Sequence, residues 1–431
     1  MKQIQAPRGT RDIILDNQRY LQFINSIIFN LAEKFTFKKI ETPIFESSDI
    51  YTRGIGTNTD IIDKELFTVS RKKEDFEKEE SKVSYSLRPE GTAGIVRSYI
   101  ENGMRSWSQP VKLWYEGKMF RYDRPQKGRF REFTQVGFEI IGDASEATDA
   151  LMMLISWEIF KKIGLENEII FEVNSVGCQS CRVKMKKTLA QYFNQNKSKL
   201  CSDCKNRRRN NPLRVLDCKN TQCRIIIQKA PQILDLLDNE CKKHFQGVLE
   251  YLDEIEITYD INPYLVRGLD YYTKTTFEIL LKGDEKRQNS LGGGGRYDNL
   301  IELFGGQKTP AVGFALGLDR IIELMQEKKI EIPKDNAPDI ALIQIGEKAR
   351  KKSLSILKNL VENEISCIIA PGKDSLKSQI RLADKAKTKF ALIIGQKEAI
   401  DNTIIIKNLD DGAQETVKRT QLVEILRKKL N

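Results

Sequence analysis

Residues 119–142 read MFRYDRPQKGRFREFTQVGFEIIG and carry four arginines, Arg121, Arg124, Arg129 and Arg131. Both ends alternate as strands do, and Pro125 and Gly128 break the middle, so the segment predicts a hairpin with a charged loop. Guanidinium forks on and beside strands are planar, always charged and suited to gripping phosphate oxygens in pairs. A polyphosphate is the expected ligand; a solvated basic hairpin is the bland reading.

Other segments hold residues of the same kind. In VRGLDYY, Arg267 precedes Gly268, Asp270, Tyr271 and Tyr272; in PAVGFALGLDR, Arg320 stands near a helix start. SLRPEGTAGI offers Glu90 and Thr92 at a turn, where they either hold an ammonium or cap the following helix. Capping accounts well for Thr92 and less well for Glu90. SLGGGGRYDNL has more consecutive glycines than a turn needs, which suits close approach of backbone to a ligand.

The chain has one histidine, His244, outside these segments, so Ser-His-Asp and Cys-His mechanisms have little to draw on. It has no G-x-x-x-x-G-K-[ST] loop, since Gly372-Lys373 is followed by Asp374, and no G-x-G-x-x-G after a strand. Arginine forks and a metal ion are the remaining means of holding a polyphosphate.

The formal charge is +11 and is unevenly spread. Residues 178–245 contain 16 Lys and Arg against 5 Asp and Glu, and the rest of the chain balances. Such clustering is the footprint of a nucleic-acid backbone, with exposed helix faces as the plain alternative. The same stretch holds seven of the eight cysteines. Cys178, Cys181, Cys201 and Cys204 form two C-x2-C pairs whose spacing fits structural zinc, unless these are plain buried thiols in a reducing compartment.

These residues need elements to position them. At 431 residues the chain has room for two or three domains. Residues 17–35 carry a helical apolar stripe with Asp16 as its cap, and residues 40–56 read as a strand interrupted by Pro43. Residues 71–82 are an exposed, charged hairpin tip between short strands. A helix at 146–163, a strand at 169–174 and helical patterns at 183–193 and 225–237 follow. An apolar strand from Tyr264 then carries Arg267. Beyond a polar linker at 332–337, short apolar strands alternate with helices at 348–362 and 375–387, the pattern of a separate α/β domain. No signal peptide or bilayer-length apolar run is present, which predicts a soluble, cytoplasmic protein without membrane partners.

Residues 40–56, 119–142 and 310–325 resemble motifs 1, 2 and 3 of class II aminoacyl-tRNA synthetases. RPQKGR, VRGLDYY and GGGGRYD are similar in detail to histidyl-tRNA synthetases. The resemblance covers nearly the whole chain. It implies an α+β class II catalytic core built on an antiparallel sheet with helices, in two parts at 1–177 and 256–331. A mainly helical insertion at 178–255 and a C-terminal α/β anticodon-binding domain at 338–431 complete it.

The implied activity is histidine-tRNA ligation, with ATP and Mg²⁺, L-histidine and histidine tRNA as partners and a homodimer formed through motif 1. Arg121 and Arg267 would be catalytic. Glu90, Gly91, Thr92, Arg121, Gln135, Glu139, Arg267, Tyr271, Tyr272 and Tyr297 would bind histidine, with Glu139 and Tyr272 reading its ring. Arg121, Arg129, Glu132, Phe133 and Arg320 would bind ATP, with Phe133 on adenine. The insertion would serve tRNA binding and not adenylate formation. Tyr122-Asp123 departs from the usual His-Glu or Tyr-Glu, which puts one ATP contact in doubt. A synthetase-like regulatory subunit of histidine biosynthesis is the alternative, although such paralogues lack the C-terminal domain.

Overall fold

The computed structural model describes residues 3–56, 59–70, 84–283, 290–334, 337–373 and 375–430, which form two compact units, Met1–Ile332 and Pro333–Asn431. The charged run at 71–82 lies outside the described residues, as do positions 335 and 336 of the linker.

The first unit is built on an eight-stranded sheet. Its order is Lys38–Lys39, Val111–Phe120, Glu132–Ile141, Ala311–Gly317, Ser290–Arg296, Thr273–Leu281, Ile169–Ser175 and Tyr259–Ile261. The six inner strands pair antiparallel and the two outermost pair parallel to their neighbours. Strand alternation then divides the chemistry. Phe138 and Ile140 face a core shared with the Leu15–Lys34, Glu146–Lys162, Asn239–Glu254 and Leu318–Glu327 helices. The Phe138 ring stacks on Phe314 and on Trp114, with centroids 5.3 and 6.2 Å apart. Phe133, Gln135 and Glu139 belong to the opposite face.

In the Leu15–Lys34 helix, Ile24, Ile27, Ile28, Leu31 and Ala32 are buried at helical spacing. Asp16 lies inside its first turn, where a carboxylate favours the positive end of the helix dipole without capping it. The expected strand over 40–56 is only Phe45–Ser47; Ser47 Oγ accepts the Asp49 N–H at 3.4 Å and starts a helix over Ser48–Ile55. The expected strand from Tyr264 is a loop, and pairing begins at Thr273–Leu281. Asn262 Oδ1 accepts the Tyr264 N–H at 3.0 Å, a local turn that Pro263 and Gly268 reinforce.

Between Ile169–Ser175 and Tyr259–Ile261 the chain leaves the sheet for a mainly helical insertion: Gln179–Gln195, Ser202–Asn210, Thr221–Ile227 and Asn239–Glu254. The last of these brings His244 back onto Asp149, Nε2 to Oδ2 at 2.8 Å. Asp149 also meets Arg296, whose guanidinium is fully buried. Its Nε and Nη2 donate to Asp149 at 3.3 and 2.5 Å, Nη1 to Asp143 O and Asp298 Oδ1 at 2.8 and 3.2 Å, and Nη2 to Ser145 O at 2.9 Å. Burial would raise the Asp149 pKa, but Arg296 and His244 outweigh it and hold the carboxyl below its ordinary value.

The second unit has a five-stranded sheet in the order Cys367–Ile369, Ile340–Gln344, Phe390–Ile394, Thr403–Asn408 and Gln414–Lys418. The first three strands are parallel and the last two pair antiparallel. Helices Glu347–Glu362 and Leu376–Ala386 match expectation; Gln414–Lys418 and the closing Leu422–Leu430 helix were too polar or too short to be foreseen.

Candidate active site

A cavity of about 1460 Å³ opens on the polar face of the large sheet. Its lining includes Glu90, Thr92, Arg121, Arg129, Phe133, Gln135, Arg267, Tyr271, Tyr272, Tyr297 and Arg320, brought together from five separate segments. Arg121 follows the Val111–Phe120 strand, its Nε donates to Pro89 O at 2.9 Å, and its guanidinium lies 5.4 Å from the Phe133 ring centroid. Burial pulls its pKa down, against the opposing pull of Glu65 and Glu90. Arg129 pairs with Asp123 at 2.8 Å. The Arg320 Nε donates to Gly128 O at 3.2 Å, and burial together with Arg129 lowers its pKa to about 10.

The glycines of Ser290–Arg296 form an inner strand of the sheet and not a turn. A Cβ on Gly293 would stand 2.5 Å from Phe277 O and 3.0 Å from the Arg267 guanidinium carbon. The bare backbone thus lets Arg267 lie across the sheet. There it pairs with Glu278 at 2.9 Å, while its Nε has no hydrogen-bond partner among the described residues. Burial acts to lower the Arg267 pKa, but Glu278 and Tyr272 outweigh it. Glu278 escaped notice in the sequence, although it shares strand parity with the cavity residue Leu280.

The helix cap expected of Thr92 comes from Glu90. The Glu90 carboxylate accepts the Thr92 and Ala93 N–H groups at 2.7 and 2.9 Å, so it satisfies the start of the Thr92–Glu101 helix. The Thr92 hydroxyl turns to Glu139 Oε1 at 2.7 Å, and Tyr297 approaches Glu139 Oε2 at 2.6 Å. Glu139 is 1% exposed and stands behind these two hydroxyls, not among the cavity-lining residues. Burial raises its pKa to about 8, more than the hydrogen bonds from Tyr297 and Thr92 lower it. Gly313 makes room for it, since a Cβ there would overlap Glu139 Oε2. The Tyr271 ring packs on those of Tyr272 and Tyr297 at 4.8 and 5.8 Å.

Three expectations need correction. Glu132 does not reach the cavity: alternation with Phe133 turns it to a different hollow, beside Lys118 at 3.6 Å. Gly91 does not line the cavity either; it allows the Tyr115 ring to close over the turn, where a Cβ would collide with it. The set Cys178, Cys181, Cys201 and Cys204 is not one cluster. Folding joins the first pair to Asp238 and Cys241, and the second to Cys218 and Cys223.

The insertion also proves less separate than its charge suggested. Four of its arginines point inward. Arg182 Nη1 donates to Asp270 O and Tyr272 O at 2.8 and 3.1 Å, and Arg214 Nη1 donates to Arg267 O at 3.1 Å. Arg207 pairs with Asp60 at 2.5 Å, and Arg208 bonds Asn194. Asn211 adds a bond to Asp270 Oδ2 at 2.9 Å. The loop bearing Arg267, Tyr271 and Tyr272 is therefore fastened from the insertion. Lys184, Lys186, Lys187, Lys197, Lys199, Lys205 and Arg209 remain exposed.

Residues 9–321 match the family model for histidyl-tRNA synthetase, and residues 339–429 match that for an anticodon binding domain. The chain is 41% identical to a histidine--tRNA ligase of Desulforamulus reducens over 97% of each chain. It is 40% identical to one of Halothermothrix orenii over 99% of each. The crystal structure of apo Staphylococcus aureus histidyl-tRNA synthetase superposes with a TM-score of 0.79 at 33% identity, over 99% of this chain and 100% of that one. A Bacillus halodurans protein described as an ATP phosphoribosyltransferase regulatory subunit/histidyl-tRNA synthetase shares the fold alone, at TM-score 0.62, 18% identity and 92% coverage of this chain. With a family match over most of its length, the chain belongs to the histidyl-tRNA synthetase family.

Proposed function

We propose that the chain activates L-histidine with ATP and transfers it to the 3′ end of histidine tRNA. The observation that carries this reading is the convergence of Arg121 and Arg267 with Glu90 and three tyrosines in one cavity. In the first step a histidine carboxylate oxygen attacks the α-phosphorus, the bond to the bridging oxygen breaks, and pyrophosphate leaves. Charge builds on the α-phosphoryl oxygens, and preorganised cations aimed there are usually the largest catalytic term. Arg121 and Arg267 supply them, with Arg129 and Arg320 on the remaining phosphates and Phe133 against adenine. In the second step a hydroxyl of the terminal adenosine attacks the acyl carbon and AMP departs. His244 is committed to Asp149, so neither step draws on a histidine base.

Magnesium needs only one or two protein carboxylates when phosphates complete its shell. Glu65 and Asp123 line the cavity and fit that demand. The ion would neutralise phosphate charge.

Glu90 and Gln135 take the histidine ammonium. Tyr272 contacts the ring, and Glu139 acts through its neighbours. Neutral at pH 7, Glu139 has one proton to give, so it donates to one of Thr92 and Tyr297 and accepts from the other. One hydroxyl then offers lone pairs to the cavity and the other an O–H, the complement of a neutral imidazole with one N–H and one bare nitrogen.

The same reading includes a cytoplasmic homodimer through residues 40–56, where Ile44 and Phe45 are 49% and 57% exposed. No helix of the described residues is long and apolar enough to cross a membrane. The exposed lysines of the insertion and the C-terminal unit contact tRNA. The deciding assay is histidine-dependent ATP–pyrophosphate exchange, followed by charging of histidine tRNA. Histidine binding with neither exchange nor charging would favour a regulatory subunit and overturn the reading.

A further inference from the structure

The seven insertion cysteines fall into two tight groups. Cys201, Cys204, Cys218 and Cys223 form one; Cys178, Cys181 and Cys241 with Asp238 form the other. Within each group one donor atom per residue lies within 4.8 Å of all the others. We propose that each group binds one tetrahedral metal ion of the zinc class, the first through four thiolates and the second through three thiolates and a carboxylate.

Spacing is the first support. Cys178 and Cys181 Sγ are 3.7 Å apart, and Cys201 and Cys218 Sγ are 3.8 Å apart. Sulfurs bound to zinc at about 2.3 Å occupy tetrahedron corners about 3.8 Å apart. All eight cysteines are free thiols, and a disulfide needs about 2.05 Å. An iron–sulfur cluster spreads its thiolates around a larger body than either group encloses.

The surroundings agree. Cys178 and Cys201 each stand at a helix N-cap with the second cysteine of the pair in the first turn. The Asp238 N–H donates to Cys181 Sγ at 3.2 Å and the Cys201 N–H to Cys223 Sγ at 3.3 Å, bonds of the kind that support bound thiolates. Asp238 Oδ2 lies 3.1 Å from both Cys178 and Cys181 Sγ, while its Oδ1 is held by the Cys241 N–H at 2.8 Å, which fixes the carboxylate as fourth donor. The site that includes Asp238 ties the exit of the insertion from the sheet to its returning helix. The four-thiolate site closes the loop that carries Arg207, Asn211 and Arg214 to the Arg267 loop.

The test is metal and thiol analysis of the full chain purified without chelator. Two zinc equivalents per chain are expected, with the seven insertion thiols protected in the native protein and titrating after chelation; the half-buried Cys367, whose pKa burial pushes up, adds at most one to either count. Cys204→Ser and Cys241→Ser should each lose one equivalent. Should a variant not fold, cobalt(II) exchanged into the unaltered protein should give the visible spectrum of tetrahedral thiolate coordination at two equivalents. One zinc or none, disulfides under non-reducing conditions, insertion thiols reactive before chelation, or a serine variant that keeps both ions overturns the proposal.

Discussion

Arg296 ends an inner strand of the sheet, Arg267 lies on a loop against the same strand, and the two end differently. Arg296 is fully buried and gives its guanidinium protons to five acceptors, among them the Asp149 carboxylate that also holds His244. Among the described residues, Arg267 has one carboxylate partner and an unmatched Nε, and it stands on the cavity wall. A buried cation whose donors are all matched is a scaffold piece, because nothing is left for a ligand to complete. A cation held by one partner beside an open cavity keeps bonding capacity for a substrate. Residue type and motif membership alone do not separate the two cases.

The largest expected effect is on the scaffold side. Arg296→Ala leaves Asp149 buried without its main partner and should cost about 3–5 kcal/mol of stability in denaturant unfolding. Activation per folded molecule should be little changed. A stable Arg296→Ala protein with abolished exchange would break the contrast.

Arg267→Ala should do the reverse. Adenylation falls about 10²–10³-fold in single-turnover measurements, as for loss of an oxyanion donor, and the unfolding midpoint moves little. Arg267→Lys keeps the charge without the fork and should fall between. Near-normal adenylation by the alanine variant would make Arg267 structural as well.

Arg214→Ala sharpens the contrast, since Arg214 touches Arg267 only through its backbone carbonyl. Losing one hydrogen bond from a charged donor to that loop should slow adenylation about tenfold. An unchanged rate would mean that the loop is held without it.

The smallest effect is a pH profile. The Glu139 pKa is raised, so its favourable contribution to folding is complete at low pH and is lost as pH rises toward about 8. Above that value both hydroxyls must donate to the carboxylate and the cavity loses its O–H donor. Histidine KM should then rise, up to about tenfold by pH 9. Glu139→Gln keeps one donor and one acceptor at every pH and should flatten the curve; parallel profiles would remove Glu139 from ring recognition.

Much of this was legible in the chain because the signals are local. The apolar stripe of Leu15–Lys34 and the return strand Glu132–Ile141 repeat over a few residues, whereas Val111–Phe120 lies almost wholly before the segment read as a hairpin. Glu132 shows a signal misread, since the alternation that turns Phe133 to the cavity turns its neighbour away. The cysteine sets were not legible, because the C-x2-C pairs do not encode which distant partners folding brings to each. Nor does a charge count give direction: Arg182, Arg207, Arg208 and Arg214 added to a basic surplus while pointing inward.

The fastening of the Arg267 loop by Arg182, Asn211 and Arg214 makes the insertion and the cavity wall mechanically continuous. On the proposed reading, an RNA contact that shifts this strap shifts the carbonyls that hold the loop. Linkage requires the exchange to be symmetric: whatever factor bound tRNA contributes to histidine affinity, histidine returns to tRNA affinity.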